Sequence, residues 1–549
     1  MNTKQPPQFA VKFGYRTSIV LVISAVGLVS ATGCGSDDDS SGGAGAGGKS
    51  HAGAGGKASA GAGGKASAGG SNGGADNAGA PDDGVAGSTD PVADAGAGGE
   101  AGEGNQPEPF TAHLSPTATP KIVNITPGGH DRFYNVAFDA DDNIYAVGVT
   151  APGFDTATDF ATVVAKFSAA GVLDTTFGDG GYAIRNVAVG AAGELARGIG
   201  IQPDGKIVIS TSIEHVAAGA DARDRDIALL RYLPNGKKDT TFGEDGIVTI
   251  NLSDGKLVGT AYLVESVWGF ALYPDGRIVL SAGELSAAGT DTDFAIIRRT
   301  KEGKPDTTFG TDGVVYVDTL VGDAGSASNN ASPRNLALLP GTGGIIGGGY
   351  QPVPGFDTKP CVYHITDAGK LDTTFGVGGV FSEAVFTEQT ETYVAAPQST
   401  GKLVTTGYAR ELSTETTDIL SMRLNANGKR DLSYGTDGVV KLDIGGFGDN
   451  SRNLVVLPND HLILVGGGRP VTDNVDGVVV ALDENGKPET TFSASGWKTF
   501  DLGGPADFLW GVAMSPSRTT VAAVGIKGAG AAAGATDDDA VLLLLKLVP

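Results

Sequence analysis

Short apolar runs occur along the chain after about residue 116, and polar turn residues separate them. From residue 247 the runs are "IVTI", "VWGFALY", "RIVLSAG" and "DFAIIRRT", followed by a turn and "VVYV". Valine, isoleucine and aromatic residues with Gly, Pro and Asp between them are typical of β-strands, and no stretch has a helical period. The pattern predicts an all-β fold.

Several of these strands are apolar on successive residues, as in "IVLSAG", "GVVVAL" and "VLLLLKL". A sandwich with one face in water would alternate apolar and polar residues. Both faces of these strands are therefore expected to be covered, as they are in a propeller, where each blade packs between two others. A parallel β-helix would use shorter coils and would not need a hairpin turn such as Pro203-Asp204-Gly205.

One turn recurs along the chain, first as "LDTTFGDGG" at residues 173–181. Its acidic residue returns after 65, 67, 66, 59 and 58 residues. Self-similarity at such a period indicates a repeat architecture, and units of this size bury too little surface to be stable alone. The acidic residues of the turn are Asp174, Asp239, Asp306, Asp372, Asp431 and Glu489.

A hairpin turn recurs once more often than this acidic turn, and the two ends of the domain explain the difference. The domain opens with "KIVNITPGG", which matches the strand after the turn, and stops at "AVLLLLKLVP", which matches the strand before it. The sequence therefore predicts a seven-bladed β-propeller of four-stranded blades, closed by pairing of the N-terminal strand Ile122–Ile125 with Val541–Leu547 of the C-terminal blade. The hairpins lie around Asp142, Asp204, Asp275, Gly341, Thr400, Asp460 and Ser517.

The residue types of the turn indicate a structural role. Its aromatic residue suits a plug between adjacent blades, and its glycines suit positive φ angles or close backbone approach. A basic residue on the preceding strand predicts an ion pair with the turn acid. The alternative is that these bases line a channel and attract an anion. The bases are Lys166, Arg231, Arg298, His364 and Arg423, and Ala481 takes their place in the sixth unit, whose turn has Glu489 and Ser493.

The first 33 residues have the layout of an export signal. A basic opening precedes the apolar run Ser18–Ser30, which is too short to span a membrane as a helix. The following "SATGC" resembles a bacterial lipobox, with Ala31 where Leu is usual. This resemblance implies lipid attachment at Cys34, and an ordinary secretory peptide with an incidental cysteine is the alternative.

Residues 34–115 are rich in Gly, Ala and Ser and are expected to form a disordered tether, because they cannot bury a core. We therefore divide the chain into a signal peptide (1–33), this tether and a propeller (116–549). If Cys34 carries a lipid, Cys361 is the one cysteine of the folded part and no internal disulfide can form. Cys361 is expected to be a small buried apolar residue.

Candidate chemistry is sparse. No zinc-type His spacing, G-x-S-x-G elbow or phosphate loop occurs, so we assign no catalytic, metal or cofactor-binding residue and no cofactor. The acidic clusters "DADDN" (139–143), "DARDRD" (221–226) and "TDDDA" (536–540) could hold calcium, but none is a complete calcium loop, and solvated loops are the preferred interpretation. The formal net charge of -24 argues against nucleic acid as a partner.

The body resembles the bacterial delta-60 repeat proteins, whose units carry "DG-I/L-V-apolar" hairpins and "D-T-T-F-G-x-x-G" turns. A looser similarity connects it with NHL-type propellers. The resemblance implies a propeller-like fold on an exported protein, and it implies no reaction.

Two functions remain open. The first is a lipoprotein of the outer membrane or cell surface, monomeric and non-catalytic, whose propeller faces bind a protein or glycan. The second is a propeller enzyme, a hydrolase or lyase acting on an extracellular polysaccharide. Converging carboxylates, or an acid with Tyr and Arg at the channel mouth, would favour the enzyme, whereas a plugged channel would favour binding. We expect the first function.

Overall fold

The computed structural model describes residues 110–151, 159–187, 194–216, 223–258, 261–263, 265–286, 291–318, 331–353, 356–472, 474–529 and 537–549. Over these residues the chain forms strands and turns and contains no helix. A membrane-spanning helix is accordingly not found in this part of the chain. The expectation of an all-β fold is confirmed.

Most strands belong to four-stranded antiparallel sheets in which strands consecutive in sequence are neighbours. Sheet 1 consists of β3 (His130–Phe138), β4 (Ile144–Ala151), β5 (Ala161–Phe167) and β6 (Tyr182–Arg185). Sheet 2 consists of β7 (Gly198–Ile201), β8 (Ile207–Val216), β9 (Arg223–Tyr232) and β10 (Ile247–Ile250). Sheet 3 consists of β13 (Ser266–Leu272), β14 (Ile278–Leu285), β15 (Thr292–Arg299) and β16 (Val314–Val317). A small hairpin of β11 (Lys256–Val258) and β12 (Ala261–Leu263) lies between sheets 2 and 3 in sequence.

Sheets 4 to 6 repeat this order, and a single parallel bridge from Thr358 to Gln389 joins sheets 4 and 5. Sheet 4 consists of β17 (Ser332–Leu338), β18 (Ile345–Val353), β19 (Phe356–Ile365) and β20 (Val380–Phe381). Sheet 5 consists of β21 (Gln389–Pro397), β22 (Leu403–Arg410), β23 (Asp418–Leu424) and β24 (Val439–Leu442). Sheet 6 consists of β25 (Asn450–Val456), β26 (Leu462–Val471), β27 (Asn474–Leu482) and β28 (Trp497–Phe500).

Sheet 7 combines both ends of the described chain. It contains β29 (Phe508–Met514), β30 (Thr520–Lys527) and β31 (Asp539–Val548), and β2 (Pro120–Val123) pairs antiparallel with β31 so that Ile122 lies opposite Val541. Strand β1 (His113–Leu114) pairs with the end of β31 and precedes residue 116, where the sequence analysis starts the folded domain.

The sheets pack face to face, which explains the continuous apolar runs. All eight residues of β4 are buried, and one apolar cluster joins residues of sheets 1 and 2 while another joins sheets 2 and 3. The first strands of the sheets contact one another in succession. The contacts run from β3 to β7, β13, β17, β21, β25 and β29, and β29 also contacts β3.

The repeated turn connects the third and fourth strands of a sheet and touches the next sheet. Phe242 is fully buried, which confirms the plug expected of the turn aromatic. Gly243 has a φ of 56°, and a Cβ there would lie 1.8 Å from the carbonyl oxygen of Ile247. The equivalent Gly310 donates its amide to the carbonyl of Ala368 in the following unit at 3.3 Å. The turn therefore links one unit to the next, and only glycine fits its tightest position.

Candidate functional site at the centre of the sheets

The first strands of sheets 1 and 3 to 7 each contain an irregularity in their pairing. In sheet 3, Val267 and Gly269 pair with successive residues of β14, so Trp268 lies unpaired between them. Such a bulge redirects a side chain away from the regular alternation of the strand. The residues at this position in all the sheets line one central cavity, and we call them the central ring: Tyr134, Arg197, Trp268, Arg334, Tyr393, Arg452 and Trp510.

Aromatic residues and arginines alternate around the central ring, and every neighbouring pair is in contact. Trp510 and Tyr134, the one aromatic pair, have ring centroids 5.6 Å apart. A guanidinium over an aromatic face contributes about 2 kcal/mol or more when it is shielded from water. Distances from guanidinium carbon to ring centroid are 5.6 Å for Arg197 to Tyr134, 3.5 Å for Arg197 to Trp268, 3.7 Å for Arg334 to Trp268, 4.7 Å for Arg334 to Tyr393, 4.3 Å for Arg452 to Tyr393 and 5.2 Å for Arg452 to Trp510.

Arg334 is held on several sides and is only 6% exposed. Its Nη1 donates to Ser332 Oγ at 2.8 Å, and its Nη2 donates to the hydroxyl of Tyr350 at 2.7 Å. The cavity enclosed by the central ring has a volume of about 50 Å³. A space of this size accommodates a water molecule rather than a sugar ring.

An acid and a tyrosine lie beside these arginines. Glu391, 4% exposed, lies near the hydroxyl of Tyr408 and near the charged groups of Arg334 and Arg452. Burial raises the pKa of Glu391 even though these three contacts lower it. Burial and the neighbouring Glu391 raise the pKa of Tyr408 well above its usual range. The neutral forms of both groups are therefore favoured relative to water.

The central ring was not predicted from the sequence, although its pattern is visible once the first strands are aligned. The segments are "FYNVAF", "ARGIGI", "VWGFAL", "PRNLAL", "TYVAAP", "SRNLVV" and "LWGVAM", and their second residue is alternately aromatic and arginine. The alternation runs across repeat units, so it does not show within any single strand.

The bases singled out on the third strands do lie against the turn acids, as predicted, and the contacts of Lys166 and the three arginines are ion pairs. In the second unit, burial acts to raise the pKa of Asp239, but hydrogen bonds from Thr241 and the charge of Arg231 lower it to about 2. The pairs are Lys166 to Asp174 at 3.2 Å, Arg231 to Asp239 at 2.8 Å, Arg298 to Asp306 at 2.8 Å, His364 to Asp372 at 2.9 Å and Arg423 to Asp431 at 2.7 Å.

The sixth unit, where Ala481 replaces the base, pairs its turn acid differently. His461, on the hairpin before β26, places Nδ1 2.7 Å from Oε1 of Glu489. The partner of the turn acid in this unit therefore comes from the hairpin and not from the third strand, and the longer side chain of glutamate accompanies this change.

The acidic clusters of the sequence have local roles where they are described. Asp139 accepts hydrogen bonds from the amide of Asn143 at 2.9 Å and from the hydroxyl of Tyr145 at 3.2 Å, so it shapes a hairpin turn. Asp538 lies 2.9 Å from Nδ1 of His130 and 2.7 Å from Nη2 of Arg132, and therefore joins sheet 7 to sheet 1.

Two groups of aspartates that could hold a metal ion were not predicted, because their members come from separate strands and loops. Asp449 accepts hydrogen bonds from the amides of Ile444 and Arg469, and Lys441 lies 2.9 Å from Asp418. Burial raises the pKa of Asp449 and of Asp507 to about 7. Carboxylate oxygens suit hard cations, but in these groups they already bind backbone amides or a lysine. The groups are Asp418, Asp443 and Asp449, and Asp476, Asp501 and Asp507.

Of the two cysteines, Cys361 is among the residues that the structure describes and Cys34 is not. Cys361 is fully buried in the apolar cluster of sheets 3 and 4, which confirms its expected role as an apolar residue. Burial raises the pKa of its thiol. Cys34, the residue assigned to lipid attachment, lies outside the described residues, as do the signal peptide and almost all of the tether.

Residues 202–242 and 274–309 match the family model described as "Domain of unknown function (DUF5122) beta-propeller". The match supports a β-propeller family. Both segments run from a hairpin turn to the aromatic residue of the repeated turn, so the matched part is the core of one propeller repeat. A search of curated proteins found no match.

Several solved structures are similar to the chain. An α-L-arabinofuranosidase, Arb93A from Fusarium graminearum, is 10% identical over 63% of this chain and 91% of that one, with a TM-score of 0.35. The β-propeller domain of the Trilobed protease from Pyrococcus furiosus is 8% identical over 72% and 89% (TM-score 0.34), and a polysaccharide lyase, PL25 ulvan lyase, is 8% identical over 66% and 77% (TM-score 0.34). At TM-scores below 0.5 these likenesses carry no argument about the site.

Proposed function

We propose that this protein is an exported lipoprotein, anchored to the cell envelope through Cys34, that presents a seven-bladed propeller as a non-catalytic binding scaffold for a protein or glycan. The outer membrane or cell surface is the proposed location, and the Gly-rich segment 34–115 is the proposed tether. The propeller is proposed to be monomeric and to belong with the delta-60 repeat proteins.

Three observations support a closed ring of seven blades. Strand β2 pairs with β31, Asp538 binds His130 and Arg132 across the same junction, and the first strands contact one another in a cycle. The central ring takes one residue from each sheet. In the proposed propeller each sheet is a blade, and the joint between sheets 7 and 1 closes the ring.

The observation that carries the binding role is the filling of the centre. Ligand pockets usually enclose about 300 to 1,000 Å³, whereas the central ring leaves about 50 Å³. A sugar ring therefore does not fit among Arg334 and its neighbours, and the proposed binding surfaces are the two faces of the propeller. A plugged channel is the arrangement that the sequence analysis associated with binding.

One specific observation favours the second candidate, an enzyme acting on an extracellular polysaccharide. Glu391, Tyr408 and Arg334 bring together an acid, a phenol and a guanidinium next to the channel. Such groups can exchange protons with a sugar and neutralise its carboxylate. Their burial in the filled centre makes this the second choice.

Binding and catalysis can be separated with the folded part of the chain, residues 110–549. We expect capture of an envelope glycan or protein on an array of cell-surface material, with no new reducing ends or unsaturated sugars formed from acidic polysaccharides. Glu391→Gln should leave this capture unchanged. Depolymerisation that disappears in Glu391→Gln would instead establish the enzyme.

The anchor is tested separately in a bacterial host. The full chain should incorporate labelled fatty acid and fractionate with membranes, whereas Cys34→Ala should do neither. A Cys34→Ala protein that still carries label would contradict lipid attachment at this residue.

A further inference from the structure

The bases of the turn ion pairs also connect neighbouring sheets. Nη1 of Arg231 donates to the carbonyl of Lys301 in the following unit at 2.8 Å, and Nη1 of Arg298 donates to the carbonyl of Asp367 at 2.8 Å. Nη1 of Arg423 donates to the carbonyl of Glu484 in the same way. These arginines fill the space between one sheet and the turn of the next.

In sheets 2, 3 and 5, two further positions take part in this contact. The residue before the hairpin is polar, and its side chain forms a hydrogen bond with the next unit. Gln202 Nε2 donates to the carbonyl of Lys301 at 2.9 Å, and the hydroxyl of Tyr273 donates to the carbonyl of Gly343 at 2.9 Å. The residue after the hairpin is a long base near the turn acid, and Lys402 lies 2.8 Å from Asp431.

Sheet 4 has a shorter side chain at each of these three positions. Leu339 stands where sheets 2, 3 and 5 have Gln or Tyr, Gly344 where those sheets have Lys or Arg, and His364 where they have Arg. A cavity of about 410 Å³ lies between sheets 4 and 5 at this place, and all three residues line it. Relative to sheets 2, 3 and 5, the shorter side chains of sheet 4 leave this space free of side-chain atoms.

Other units with a short base are filled by a compensating residue. In sheet 1, where the base is Lys166, Tyr145 packs against the turn aromatic Phe177 with ring centroids 5.9 Å apart. In sheet 6, where the base is absent, Leu114 of β1 joins the apolar cluster of that interface and Phe110 packs against it. Between sheets 4 and 5 the described residues leave the space open.

The walls of the cavity are mainly apolar. Ile346 and Phe375 line it on the side of sheet 4, and Leu403 lines it on the side of sheet 5. His364 is one of the polar residues of the wall, together with Thr342, Thr366, Asp367, Gln398 and Ser399, and its Nδ1 lies 2.9 Å from Oδ2 of Asp372. When Nδ1 donates to this carboxylate, Nε2 is left as an acceptor. Burial lowers the pKa of His364, although Asp372 opposes this, which favours the neutral ring.

We propose that this cavity between sheets 4 and 5 is a binding site for a small aromatic molecule that donates one hydrogen bond, through an N–H or O–H group, to Nε2 of His364. The volume lies within the usual range for small-molecule sites, and apolar walls with few polar groups are typical of them. The site is on the side of the hairpins and does not depend on the proposed scaffold function or on the lipid anchor.

The test uses N-phenylnaphthylamine, a neutral fluorescent probe of this size with one N–H group. The folded part of the chain should bind it saturably with one site per chain. Leu339→Gln combined with His364→Arg restores the residues of sheets 2 and 5 and should fill the cavity, weakening binding roughly tenfold or more. Leu412→Gln, which changes an exposed leucine elsewhere, should bind like the unaltered protein.

A second variant tests the hydrogen bond. His364→Phe keeps a ring but removes the acceptor, so affinity for the probe should fall about fivefold, as expected for one neutral hydrogen bond. Phenylnaphthalene, which lacks the donor, should bind this variant as well as it binds the unaltered protein. Thermal unfolding of each variant reports whether it is folded.

Two outcomes would overturn the proposal. One is an unaltered protein that shows no saturable binding of either probe. The other is a folded Leu339→Gln, His364→Arg variant that binds the probe as tightly as the unaltered protein does.

Discussion

Arg231 and Asp239 form a buried ion pair across the repeated turn, with Nε 2.8 Å from Oδ2. Removing one member of such a pair leaves a buried charge without its partner. We expect Arg231→Ala and Asp239→Ala each to lower the free energy of unfolding by about 3 to 5 kcal/mol. The double variant should lose clearly less than the sum, because both changes remove the same interaction. Denaturant unfolding of all four proteins measures this coupling, and fully additive losses would refute it.

The turn aromatic is expected to contribute through packing. Phe242 is fully buried between sheets 2 and 3, and Phe242→Ala should lower the free energy of unfolding by about 3 to 5 kcal/mol. Val377→Ala, in an equivalent turn but 89% exposed, should change it by less than about 0.5 kcal/mol. A small effect of Phe242→Ala in denaturant unfolding would show that the turn does not plug the interface.

The central ring should respond to the shape of its cations as well as to their charge. Arg334→Met removes stacking on Trp268 and Tyr393 and should destabilise the protein by about 2 to 4 kcal/mol. Arg334→Lys should recover only part of this, because an ammonium group is not planar and cannot stack in the same way. Arg518→Met, on an exposed turn, is the matched control.

These variants can be followed by tryptophan fluorescence, since Trp268 and Trp510 both belong to the ring. Emission should shift in Arg334→Met and remain unchanged in Arg518→Met. Full recovery of stability by Arg334→Lys would show that charge alone is sufficient.

Stability should depend on pH on both sides of an optimum. Burial raises the pKa of Glu265 to about 8 and those of Asp449 and Asp507 to about 7, from ordinary values of 4.5 and 3.8. A folded-state pKa above the unfolded value means that the folded form binds the proton more tightly. The stability contributed by these groups is therefore present below about pH 4 and is lost as pH rises towards 7 or 8.

The opposite sign applies to Asp239 and Asp538, whose pKa values are lowered to about 2 by hydrogen bonds and positive charges that outweigh burial. Their contribution is lost as pH falls from about 4 to 2. The unfolding free energy measured against pH should therefore have a maximum in the mildly acidic range. Asp507→Asn should make the decline on the alkaline side shallower, and an unchanged slope would contradict the role of Asp507.

The repeated turn and its ion pairs were predictable because the same residue types recur at the same positions of each repeat. Comparison of the six copies of the turn sequence shows which positions tolerate change. The sixth unit differs at both Ala481 and Glu489, which indicates that these two positions interact in the other units. The pairing of Ile122 with Val541 also followed from comparing the chain ends with that repeat.

The central ring and the cavity were not predicted, because they depend on differences between repeats. A bulge at Trp268 is invisible in a strand pattern of period two. Leu339, Gly344 and His364 are unremarkable residues singly, and they indicate a cavity only when their counterparts in other sheets are known to fill that space. The aspartate groups likewise become adjacent only through the packing of separate units.

The central ring has an odd number of members. Two kinds of side chain cannot alternate around an odd-numbered circle without one like pair, and this circle places the like pair at Trp510 and Tyr134, where the beginning and end of the fold meet. Two aromatic rings tolerate each other, whereas two adjacent guanidinium groups would repel. Loss of the repeat that carries Trp268 or Tyr393 would create that repulsion, whereas loss of the repeat that carries Tyr134 or Trp510 would not, so recombination should remove a terminal repeat of this fold more easily than either of these internal ones.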